Sequence, residues 1–135
     1  MDEKVVTSTD VQTTVMHLLG DSSVPSYLSG KILRAGMRNQ DSRDEDLTVS
    51  VTALDAEQRQ GGFVRLTAYI PHLSEVPDLR RCAEVERLLT DWATGLSAEG
   101  TGDYLFRLAS GVSSLVSPDR PESLVTARLS FKIAR

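Results

Sequence analysis

Two histidines, His17 and His72, and one cysteine, Cys82, are the residues best suited to acid–base, metal or nucleophilic chemistry. A zinc site takes three or four His, Cys or carboxylate ligands, and neither histidine has a second ligand at a workable spacing. A nucleophilic thiol needs a base beside it. Cys82 falls instead on an apolar helical stripe, where a free cysteine behaves as a small apolar side chain. The acidic run Asp44, Glu45, Asp46 lacks the spaced Asp/Asn and terminal Glu of a calcium loop. Gly61 and Gly62 stand outside the GxxxxGK[ST] frame of a phosphate loop and read as turn glycines. The chain is therefore expected to have no catalytic residue, no metal and no cofactor, and not to be an enzyme. A small enzyme of unfamiliar type is an open alternative class, which a tight ligand beside a perturbed His or carboxylate would mark.

The stretch "KILRAGMRNQDSRDED", residues 31–46, carries the charge pattern that most needs a use. Lys31, Arg34 and Arg38 come first; Asp41, Asp44, Glu45 and Asp46 follow, with Arg43 among them. A solvated loop has no need of sorted charges. A head-to-tail interface has one, because each subunit of a closed ring shows different patches to its two neighbours, and charge complementarity fixes orientation. The candidate interface set is Lys31, Arg34, Arg38, Arg43, Asp44, Glu45 and Asp46, on an arm expected to be mobile or extended until a neighbour orders it. The alternative is a nucleic-acid-associated module built on a local basic patch of Lys31, Arg34, Arg38 and Arg65. Arg128 and Lys132 would join it if their strand faces align.

These residues sit in a chain of 135 residues that reads as one domain over 1–135, long enough for a real core. The apolar fraction of 40% and charged fraction of 25% are those of ordinary globular domains. A formal net charge of −4 argues against a protein whose main task is neutralising phosphates. One cysteine allows no internal disulfide, which fits a reducing compartment. The start, "MDEKVVTSTD", does not read as a signal peptide. No apolar run approaches the length of a membrane span.

The elements follow from periodicity. A helix is expected over 10–19, with Thr9 as cap, Gln12 as its capping-box partner, and Val11, Val15, Leu18 and Leu19 on one face. "DSSVPS" reads as a turn, with a short strand near 31–34 and a solvated loop after it. "LTVSVTAL" and "FVRLTAYI" alternate apolar and polar and form a long hairpin across "DAEQRQGG", ended by Pro71. A main helix is expected over 79–97, capped by Asp78, with Cys82, Val85, Leu89, Trp92, Ala93 and Leu96 on one stripe. "YLFRL" is a strand followed by Ser/Gly-rich turns, and "LVTARLSFKIA" is the clearest strand of all. The fold class is α+β: an antiparallel or mixed sheet with a long hairpin, one main helix on one face and a short N-terminal helix. The expected core is Val49, Val51, Val64, Leu66, Ile70, Leu89, Trp92, Leu129, Phe131 and Ile133.

The run "YLSGKILRAGMRNQDSRDEDLTVSVTALDAEQRQGGFVRLTAYIPH", where Gly36-Met37-Arg38 and an acidic pair precede alternating strands, resembles a segment of uncharacterised proteins from phages and prophages of gut bacteria. The element order is similar to that of the tail-terminator, or tail-completion, proteins of long-tailed phages. The resemblance implies a virion structural protein of the tail or neck, assembled in the bacterial cytoplasm. It implies a ring, commonly of six subunits, that caps the tail tube and joins it to the head connector, with DNA only passing through. It brings no catalytic residues, and no residue matched here separates terminators from other head–tail joining proteins.

Overall fold

A computed structural model describes residues 6–53, 61–99 and 104–133. The chain runs α1 (Ser8–Gly20), α2 (Val24–Tyr27), β1 (Ile32–Arg34), β2 (Leu47–Ala53), β3 (Gly61–Pro71), α3 (Leu79–Glu99), β4 (Tyr104–Val116) and β5 (Glu122–Ile133). One five-stranded sheet has the order β1-β2-β3-β5-β4. β1 is parallel to β2, and the other pairs are antiparallel. The sheet is mixed, the fold is α+β, and α3 is the main helix. The connections at 54–60 and 100–103, which include most of the expected hairpin linker, lie outside the described residues.

Alternation explains the layering. In β3 and β5 every second side chain is buried: Val64, Leu66, Ala68 and Ile70 on one, Val125, Ala127, Leu129 and Phe131 on the other. Cross-strand partners share a face. The pairs Val49↔Leu66, Val64↔Leu129 and Phe106↔Phe131 therefore make one apolar surface across four strands. α1 covers it over β1 and β2, and α3 over β4 and β5. Val11, Val15 and Leu19 enter this core from α1, and Cys82, Val85, Leu89 and Ala93 from α3. Of the expected core, Val51, Trp92 and Ile133 are half-buried at its margin and the others are enclosed.

Several local readings need correction. Thr7, not Thr9, caps α1: its hydroxyl accepts from the Asp10 N–H at 3.1 Å, and the Asp10 carboxylate accepts from the Thr7 N–H at 3.0 Å. Gln12, the expected capping partner, instead donates to the Val49 carbonyl at 2.7 Å, tying α1 to the sheet. "VPSY" makes a single helical turn, with proline where a helix tolerates it. Gly61 and Gly62 are buried in β3 rather than in a turn. A Cβ on Gly61 would stand 2.8 Å from the Phe131 carbonyl oxygen, so the close approach of β5 requires glycine. Beyond Leu108 the Ser/Gly-rich segment continues as strand through Val116, with register shifts between Leu108 and Ser110 and between Ser110 and Ser113. Pairing with β5 overrides weak local β-propensity there.

Other expectations hold. Asp78 caps α3 by accepting from the Arg81 N–H at 3.1 Å. Pro71 closes β3 beyond Ala68, the last residue there that pairs with β2, so its missing N–H costs that ladder nothing.

Candidate functional site

The sorted charges close on themselves. Chain direction reverses after β1, and the turn that follows brings the basic half of residues 31–46 back against the acidic half. Arg38 Nε donates to Asp46 Oδ2 at 2.9 Å. Its two other nitrogens grip both oxygens of Glu122, at 3.2 and 3.1 Å, from the first residue of β5. The guanidinium lies 3.9 Å from the centroid of the Tyr69 ring, a cation–π stack. Asp46 and Glu122 are only 4% and 6% exposed. Asp46 also accepts from Ser42 Oγ at 2.6 Å and from the Lys31 N–H at 2.9 Å. The Arg120 guanidinium adds a bond to the Ser42 carbonyl at 2.6 Å.

Glycine makes the lock possible. Gly30 passes so close to Asp46 that a Cβ there would meet Asp46 Oδ1 at 2.3 Å and the Asp46 backbone nitrogen at 2.6 Å. Burial by itself would raise the Asp46 carboxyl pKa. Hydrogen bonds from Ser42, the Lys31 backbone and Arg38, with the charge of Arg38, outweigh burial and hold it below the usual carboxylate range. Burial likewise opposes the charge on Arg38, and the carboxylates of Glu122 and Asp46 more than compensate.

The remaining members of the set part company. Glu45 pairs with Arg81 of α3, at 2.7 and 2.9 Å, and Arg81 also donates to the Tyr27 carbonyl. The bonds to Glu45 lead in raising the Arg81 pKa, against the opposing effect of burial. Arg34 donates to Gln12 Oε1 at 2.6 Å and Thr13 Oγ1 at 2.9 Å, fixing β1 to α1. The side chains of Lys31, Arg43 and Asp44 are exposed. An arm extended in the lone subunit is thus overturned: contacts within the chain order the segment. Basic root meets acidic tip inside the subunit, and Arg38 and Asp46 are too enclosed to meet a neighbour's charges.

The uncovered sheet face is the second surface with a distinct chemistry. Register places Ser50, Arg65 and Arg128 in one row across β2, β3 and β5. The next row holds Thr52, Phe63, Ser130 and Arg107. Lys132 follows one step on. The Arg128 guanidinium stacks 3.8 Å from the centroid of the Phe63 ring. Ser50, Thr52, Phe63, Arg65 and Arg128 line a depression of about 180 Å³. Of the basic patch considered from sequence, Arg34 and Arg38 are committed elsewhere. Arg65, Arg128 and Lys132 do align, and Arg107 was missed, although its spacing from Phe106 in "YLFRL" assigned it to the polar face.

The third surface is the outer edge of β4. β4 pairs with β5 on one side and closes the sheet on the other. Leu105, Leu115 and Val116 are each more than half exposed along it. Arg107 is its only charged residue.

The sites weighed for catalysis stay dispersed. His17 is on the exposed side of α1, Cys82 is a buried free thiol, and His72 borders β3 with an enclosed Nε2 that has no hydrogen-bond partner among the described residues. Among the described residues, no group of three His, Cys, Asp or Glu side chains could hold a metal ion, and no helix is long and apolar enough to cross a membrane.

No family model matches the chain, and no curated protein does. Solved structures share the fold. One, whose name states no function, superposes with a TM-score of 0.53 at 10% identity, over 95% of this chain and 92% of its own. Such a likeness speaks for the fold alone.

Proposed function

We propose that this chain is a structural subunit of a phage or prophage tail, a terminator or tail-completion protein that forms a ring, caps the tail tube and meets the head connector. The observation that carries the reading is the open edge of β4. Natural monomers blunt an edge strand with charge, proline, short length or a bulge; the register shifts of β4 lie between Leu108 and Ser113, and Ser113 to Val116 pair with β5 without one. β4 runs 13 residues, has no proline, and shows no charge from Ala109 to Val116. The opposite edge is β1, a strand of three residues. Two unlike edges on one sheet suit heterologous, head-to-tail contact, the kind that closes into rings. The resemblance of residues 27–72 to phage segments supports the same reading. Head–tail joining proteins other than terminators fit it equally.

The test is light scattering and negative-stain microscopy of the full chain, alone and with tail tubes. The expected result is a mass that is a multiple of the 14.8 kDa chain, with rings on the grid. Lysine placed at Ser113 and Leu115 should dissociate the ring and leave the circular dichroism of the subunit unchanged, because both side chains are exposed. A chain that stays monomeric at high concentration and ignores tail tubes would end the proposal.

A further inference from the structure

Four cations share one half of the uncovered sheet face: Arg65, Arg107, Arg128 and Lys132. All four are exposed. Arg65 and Arg128 are direct cross-strand partners, an arrangement that like charges disfavour. Among the described residues none of the four has a salt bridge. The described acids on this face, Asp46 and Glu122, are at its other end and already hold Arg38. Glu122 is six positions before Arg128 on β5, on the order of 20 Å along the strand. In a chain of net charge −4, positive charge without a salt bridge to any described residue is thus gathered in one place.

We propose that this half of the face binds the phosphates of a nucleic-acid backbone. The chemistry around the cations favours phosphate over a protein partner. Hydroxyls of Ser50, Thr52 and Ser130 share the two rows with the arginines, and arginine with serine and threonine is the usual set of backbone-phosphate contacts. A protein interface would call for a desolvated aromatic or apolar anchor at its centre. Here the one central aromatic ring, Phe63, is already covered by Arg128. The guanidinium so held is planar, charged and fixed, suited to a two-oxygen grip on a phosphate. Backbone recognition of this kind carries no sequence preference. The site belongs to the single subunit and does not depend on the ring.

The experiment uses the full chain with a fluorescent duplex of random sequence and a matching single strand, read by anisotropy at 50 and 200 mM salt. Inorganic phosphate and poly-glutamate serve as competitors. Binding of at least one nucleic acid at 50 mM salt, falling steeply by 200 mM, is expected. Arg65→Gln with Arg128→Gln should weaken it at least tenfold and lower the duplex salt slope by about two contacts, roughly 0.9 each. Arg43→Gln with Arg80→Gln removes the same net charge from exposed positions elsewhere and should change binding far less. The Arg65→Gln single variant should keep or raise the denaturation midpoint, which separates lost binding from lost fold. Inorganic phosphate should compete only at high concentration, as a single phosphate engages part of the patch. No binding to either strand form, equal losses in the two double variants, or displacement by poly-glutamate as effective as that by DNA would each overturn the assignment.

Discussion

Arg38 joins the turn after β1 to the nearby start of β2 and to the start of β5, 84 positions on. Its side chain is 8% exposed, and the side chains of its partners Asp46 and Glu122 are 6% and 7% exposed. A buried ion set contributes little net stability when complete, yet losing one member leaves uncompensated charge. Arg38→Ala should therefore destabilise the subunit by about 3–5 kcal/mol in urea unfolding. The same loss follows if Arg38 is reversed to Glu, so charge reversal there reports on folding before it reports on assembly. Asp46 adds a pH signature. Its folded pKa is lowered, so its contribution is fully present above the unfolded value of about 3.9 and is lost as pH falls through the folded value. Urea midpoints measured from pH 6 downward should stay level and then fall below about pH 4. The fall should be shallower in Asp46→Asn, which has no such proton to take up.

At the scale of elements, the strands legible in the sequence are those buried on one side. β2, β3 and β5 alternate because one face is core and the other is open, and α3 shows its stripe for the same reason. The second half of β4 has no such signature. Its side chains from Ala109 to Val116 are mostly exposed, and only β5 makes it a strand. The Arg38 lock was illegible for a related reason: Glu122 is 84 positions away, and no local pattern announces a partner at that range. Sorting in residues 31–46 was real, but its meaning depended on a turn that folds plus onto minus. Burial also ranks the core side chains. Phe131 is 4% exposed and packs on Phe106 with ring centroids 6.4 Å apart. Phe131→Ala should cost about 3–5 kcal/mol. Trp92 is half-buried and lines the groove between α2 and α3. Trp92→Ala should cost clearly less, and thermal denaturation of the two variants side by side checks the order.

For the molecule as a whole, the helices leave one sheet face and one long edge uncovered, and the two proposals assign these surfaces different work. In the first, the edge of β4 would serve contact between copies. In the second, the open face, with its cations gathered at one end, would serve an anionic polymer. Neither requires the other, so an assembled ring that ignores DNA, or a monomer that binds it, would separate them cleanly. The sheet order has a further consequence. β5 lies between β3 and β4, joining Gly61 to Lys132 across the sheet. It follows every other described element in the chain. Until β5 inserts, β3 and β4 each present a bare ladder, and the apolar undersides of β2 and β3 lack half their lateral support. β5 can pair with β4 across a short connection, but its pairing with β3 must close a loop of about fifty residues, from Pro71 to Glu122, an entropic cost met before that pairing offsets it. A chain halted before that closure would hold two half-sheets, β2 with β3 and β4 with β5, each with an adhesive unpaired edge.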